Sequence, residues 1–140
     1  MRVVLDTVVS VRALFNPRSV WGQLARRTGE FELITSPEIA QEFAEVTTRS
    51  ALQQRLARFA AHTEHAEVLG ALRTAEVILD VPTVAVCRDS DDDKFFACAV
   101  AGRADYLVSE DEDVLAVAEY EGVRTIRTAA FLKLLDEAGQ

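Results

Sequence analysis

A chain of 140 residues, 49% hydrophobic and 27% charged, with six Gly, three Pro and no repeat or low-complexity tract, is expected to form a single domain over 1–140 with one full core. Its 23 acids outnumber 15 Lys and Arg, and the resulting charge of −8 excludes a protein that coats nucleic acid by charge alone. No apolar stretch approaches the ~18 residues of a membrane span, and charges interrupt the opening MRVVLD, so neither a span nor a signal peptide is expected and the expected location is cytoplasmic.

Val3-Val4-Leu5 has the character of a buried parallel strand, and Asp6 follows where the strand emerges from the sheet. Asp6 is thus the first candidate ligand, and also a candidate N-cap for a helix over Thr7 to Phe15. Asn16-Pro17 breaks the chain; Ser19 caps a second helix, with Val20, Trp21 and Leu24 inward, that is expected to end at Gly29. Phe31 to Thr35 is a second strand, and Ser36-Pro37 opens a helix with Ile39, Phe43 and Val46 on its apolar face. Glu42, about 60° from Ile39, lies at the edge of that face, whereas Glu38 and Glu45 lie nearer solvent.

Residues 50–73 resemble a helical pair with Leu52, Leu56, Phe59, Val68, Leu69 and Leu72 inward, and Arg55, Arg58, His62 and His65 would form a solvated basic stripe. The two His lack a third His or a Cys that would make a metal site. Strands are expected at Ala75 to Leu79, Asp105 to Ser109 and Gly122 to Ile126, and a last helix with Phe131, Leu134 and Leu135 inward. Strands alternating with helices imply an α/β fold with a central parallel sheet covered on both faces.

Between the third and fourth strands, RDSDDDKFFACAVAGRADYLVSEDED sets acids beside an apolar run. If Asp93 opens a helix, Phe96, Ala97 and Val100 lie within about 60° of it and Asp91 and Asp92 point elsewhere; in the same way Asp111 lines up with Val114, Leu115 and Ala118 while Asp113 faces away. Ser90 with Asp93 and Ser109 with Glu112 also resemble capping boxes. Phe95, off the Asp93 stripe, is expected either at a dimer contact or beneath a neighbouring helix. Cys87 and Cys98 stand in no metal spacing and read as reduced packing residues.

Asp6, Glu42, Asp93 and Asp111 all map to the carboxyl edge of the strands, where a doubly wound sheet binds its ligands. Four acids brought together need a compensating cation, and hard oxygen donors favour Mg²⁺ or Mn²⁺. Two such ions would activate water and stabilise a leaving oxygen, which makes metal-dependent phosphodiester hydrolysis the expected chemistry. An acidic phosphoryl-transfer site would need a lysine suitably placed after the fifth strand or DxD after the first; no lysine is so placed and no DxD follows the first strand.

VVLDT, SPEIAQEF, CRDSDDDKFFACAVAGRADYLVSEDEDVL and GVRTIRTAAFLKLL together resemble PIN-domain proteins of the VapC-like toxin branch. The resemblance implies a three-layer α/β/α domain with strand order 3-2-1-4-5, endoribonuclease activity with Mg²⁺ or Mn²⁺, a homodimer, an RNA substrate and a cognate antitoxin. It carries the acidic motif onto Asp6, Glu42, Asp93 and Asp111, adds Asp113 as an accessory metal-binding acid, and offers Asp91 or Asp92 as a neighbour. One position departs from the family pattern: Val8 stands where a polar residue would orient the first aspartate, which predicts weaker metal affinity. The alternative expectation is a catalytically weak module that binds RNA or an antitoxin.

Overall fold

The computed structural model describes residues 1–49 and 63–139. Leu52, Arg55, Leu56, Arg58, Phe59 and His62 of the expected helical pair lie outside the described residues. Along the rest run β1 (Arg2–Leu5), α1 (Thr7–Phe15), α2 (Val20–Arg26), β2 (Glu32–Thr35), α3 (Pro37–Thr47), α4 (Thr63–Leu72), β3 (Glu76–Val77) and α5 (Asp93–Ala101). They are followed by β4 (Tyr106–Val108), α6 (Glu112–Leu115), β5 (Glu119–Tyr120), β6 (Val123–Ile126) and α7 (Thr128–Ala138).

The sheet has the order β3-β2-β1-β4-β6-β5, parallel throughout except for the β5–β6 pair. The expected 3-2-1-4-5 order is therefore present, with β6 as the expected fifth strand and β5 as an addition at the edge. That addition is a hairpin. Tyr120 pairs with Val123 across Glu121 and Gly122, whose φ values of 47° and 87° supply the two positive dihedrals of a two-residue turn that matches strand twist. The third strand shortens to Glu76–Val77, and the chain then crosses the sheet as an irregular strap through Pro82, whose Ile78, Val84 and Val86 pack on the core.

Alternation along the strands divides the core in two. Val4, Ile34, Leu107 and Val123 face α3, α5 and α6; Val3, Leu5, Leu33 and Val108 face α1, α2 and α7. This is a three-layer α/β/α arrangement. α5 is enclosed rather than striped: Phe95, Phe96, Ala97, Cys98 and Ala99 are all buried. Phe95, 1% exposed, packs within the core and is not a surface available for dimer contact.

Smaller departures have local causes. α2 ends at Arg26, ahead of Gly29, because a 3-10 turn at Thr28–Glu30 takes over. On α7 the buried stripe is Thr128, Phe131, Leu132 and Leu135, the i, i+3, i+4, i+7 positions, so Leu132 and not Leu134 lies fully inside. On α4, His65 is half-buried with Nδ1 2.7 Å from the Leu14 carbonyl, and Arg18–Glu64 and Arg26–Glu67 ion pairs join the helix to the α2 region. His65 thus belongs to a packed contact with α1 rather than to an open basic stripe.

Candidate active site

The winding reverses between β1 and β4, which are neighbours in the sheet although far apart in sequence. Asp6 follows β1 and Ser109 follows β4, so both side chains emerge at this switch point. The Asp6 backbone N–H donates to the Val108 carbonyl at 2.9 Å, which sets its place beside β4. The residue is 4% exposed. Oδ1 accepts from the Val8 N–H at 3.0 Å, the capping bond of α1, and Oδ2 accepts from Ser109 Oγ at 2.7 Å. Burial raises the Asp6 pKa, the bonds from Ser109 and Val8 oppose that rise, and the charges of Asp111 and Glu42 add to it.

Ser109, fully buried, serves two neighbours with one hydroxyl: it donates to Asp6 and accepts from the Asp111 N–H at 3.0 Å. Asp111, exposed, caps α6 by accepting from the Asp113 N–H at 2.8 Å. Capping and site placement therefore coincide for both Asp6 and Asp111. The Ser109–Glu112 capping box does not form, because the Ser109 hydroxyl is committed to Asp6 and to the Asp111 N–H.

The 89–93 segment differs most from the expectation of helical phase. Asp89 caps a 3-10 turn over Ser90–Asp92 by accepting from the Asp91 N–H at 3.0 Å. Asp93 Oδ1 accepts from the N–H groups of Val86 and Cys87 at 3.0 and 2.7 Å, so this carboxylate ties down the strap rather than capping with Ser90. Asp92 sits at the N-cap of α5 without a side-chain capping bond. Its pKa is pushed from 3.8 to about 6, first by burial, then by the charges of Asp111, Asp6 and Asp89, with Lys94 opposing. The charges of Asp111 and Asp6 thus act on Asp92, the residue that helical phase pointed elsewhere.

Glu42, on α3, stands in an ion pair with Lys94 Nζ, and its charge is among those that act on Asp6. Lys94 Nζ also donates to the Asp91 carbonyl at 2.5 Å and lies 5.1 Å from the Phe95 ring centroid. Asp113 is exposed at the rim. Cys87 lies among these acids: burial first, then the charges of Asp92, Asp93, Asp111 and Asp113, push its thiol up to about 12, which keeps it protonated and a poor nucleophile. Cys98, buried in α5, is pushed up to about 11 by burial, with Ser36 opposing. Glu110 turns away from the cluster and accepts from the Thr128 N–H at 3.1 Å and from Trp21 Nε1 at 3.3 Å.

Among the described residues, no three His, Cys, Asp or Glu side chains are already gathered into an ion cage. The donor chemistry nonetheless suits a hard divalent ion: carboxylate oxygens whose like charges raise the proton affinity of Asp6 and of Asp92. A groove of about 760 Å³ lined by Leu14, Ile39, Phe43, Leu69 and Leu72 reaches this region only through Leu5 and Thr7. Among the described residues no carboxylate lines it, and the acids discussed above lie outside it.

A family model for the PIN domain matches residues 2–113. The chain belongs to the PIN-domain family. PIN-domain proteins are generally metal-dependent nucleases, and the matched stretch contains Asp6, Glu42, Asp92, Asp93, Asp111 and Asp113. The chain is also 29% identical over 121 residues to the uncharacterized protein MJ1680 of Methanocaldococcus jannaschii, covering 84% of this chain and 75% of that one. No solved structure matches it. Among the described residues no helix is long and apolar enough to cross a membrane.

Three participants in this PIN-domain site were not singled out from the sequence for the roles they take. Ser109 could have been found as the polar residue closing the buried strand DYLVS, one strand over from Asp6. Lys94 could have been found as one of only two lysines, set directly behind three aspartates. Asp92 carries no phase signal at all.

Proposed function

We propose that this PIN domain is a Mg²⁺- or Mn²⁺-dependent endoribonuclease that hydrolyses RNA phosphodiesters at the carboxyl edge of β1 and β4. The observation that carries this reading is the convergence of Asp6, Asp92 and Asp111 from three separate elements: the charge of Asp111 acts on both Asp6 and Asp92, and that of Asp6 on Asp92. These three would hold the ion, with Glu42 and Asp113 around them and Asp93 anchoring the strap that frames the site. When bound, the ion would lower the pKa of a water and screen charge developing on the phosphate. The chain's own part is to position and to exclude water. Ser109 and the Val8 N–H hold the two Asp6 oxygens apart, Ser109 links Asp6 to the turn that carries Asp111, and burial of Asp6 limits solvent access on the sheet side.

The two cysteines do not offer a competing nucleophile, since burial keeps both thiols protonated near neutral pH. The test is cleavage of a mixed RNA pool by purified chain with Mg²⁺, Mn²⁺ or EDTA, beside Asp6→Asn. Metal-dependent products that vanish in Asp6→Asn are expected; products that persist in EDTA or in the variant would refute the reading.

The likeness of the motifs to VapC-like toxins supports a narrower form of the proposal, in which the chain is the toxin of a toxin–antitoxin module, active as a homodimer and covered by a cognate antitoxin. Co-expression with the adjacent reading frame is expected to give a stable complex that no longer cuts RNA.

A further inference from the structure

We propose that Lys94 is the second cation of this site: its ammonium occupies Glu42, so that the carboxylates hold a single divalent ion rather than two. The inference rests on the metal-binding reading above and concerns the number of ions.

Lys94 stands in the first turn of α5, immediately after Asp92 and Asp93, and its ammonium bridges two elements. It pairs with the Glu42 carboxylate on α3 and donates to the Asp91 carbonyl at 2.5 Å. Its side chain is only 10% exposed, Glu42 is 34% exposed, and the Phe95 ring lies beside the charge. This is a side chain held in place, not a surface lysine searching solvent. Its charge reaches Asp92 as well as Glu42, and Glu38 and Asp91 are the other acids facing it.

Seating a second ion on Glu42 would require breaking this largely enclosed pair and leaving an ammonium without its partner beside an incoming dication. Removing one member of a part-buried pair leaves the other charge uncompensated. The positive charge that a two-ion nuclease draws from its second metal is here built into the chain, on a helix and next to the aspartates.

The test is the stoichiometry of Mn²⁺ binding, measured by titration calorimetry and by loss of the free-ion electron paramagnetic resonance signal on metal-stripped chain, with circular dichroism as a control for folding. The parent is expected to bind one ion. Lys94→Met, which keeps the stem and removes the charge, is expected to take up a second ion, and Lys94→Met combined with Glu42→Gln to return to one. Lys94→Arg, which keeps the charge, and Glu42→Gln alone are expected to hold one ion each, so the proposal stays testable if Lys94→Met does not fold. Two ions in the parent, one ion in folded Lys94→Met, or loss of the ion in Glu42→Gln would each overturn the inference while leaving the metal site intact. No Mn²⁺ binding in the parent would overturn the metal-site reading together with it.

Discussion

Asp92 feels the charge of Asp6, yet the chain holds the two in opposite ways. Asp6 is rooted at the end of a central strand, almost wholly enclosed, with both oxygens bonded by the chain. Asp92 stands on a turn ahead of a helix, half-buried, without a capping bond, and repelled by three other acids. One carboxylate is preorganised and the other is kept in tension. A cation-dependent site uses both: the first sets the position of the ion, and the second gains most from its arrival.

Breaking the rigid half should have the largest effect. Ser109→Ala removes the donor to Asp6 Oδ2 and the acceptor for the Asp111 N–H, and it is expected to weaken Mn²⁺ affinity by about 10- to 100-fold, the usual range for groups that orient ligands. Calorimetric titration measures this. Next in size is the anchor beside the tense half. Asp93→Asn leaves two backbone N–H groups of the strap without a charged acceptor, and a loss of about 1.5–3 kcal/mol is expected in urea unfolding.

The tense half should also show itself in the pH dependence of stability. Because the folded pKa of Asp92 is raised, the native state binds its proton more tightly than the unfolded chain does. That contribution is fully present below the ordinary value of 3.8 and is lost as pH rises through about 6. The melting temperature of metal-free chain is therefore expected to rise between pH 7 and about pH 5, and the slope to flatten in Asp92→Asn. Added Mn²⁺ should raise the melting temperature at pH 7, where the carboxylate is free to bind. The smallest effect belongs to position 8. The Val8 side chain is exposed while its backbone N–H already serves Asp6, and Ser109 serves the other oxygen. Val8→Asn is expected to change RNA cleavage less than Ser109→Ala does, measured on the same substrate.

The same contrast explains what could be read from the sequence. A strand end is legible: the apolar runs before Asp6 and within DYLVS located the switch-point edge, and the elements after them brought Glu42 and Asp111 near it. Ser36-Pro37 announced α3, and both halves of the cap are present. The hairpin strand β5 was not legible, because two residues and a turn with positive dihedrals at Glu121 and Gly122 leave no alternation to detect. Asp92 was hidden for a related reason. Phase requires a helix with one buried side, and α5 has buried residues on every side of its middle turn. Nor could spacing foresee the two partners that Asp6 has, the Val8 backbone N–H and a serine about a hundred residues away.

The most direct test of the account is the initial rate of RNA cleavage at saturating Mn²⁺ for Asp92→Asn beside Asp93→Asn, each checked for folding. The account predicts that Asp92→Asn loses cleavage while folded Asp93→Asn keeps most of it, because Asp93 serves the strap and Asp92 the ion. The reverse order, with Asp93→Asn inactive and Asp92→Asn near the parent rate, would contradict it.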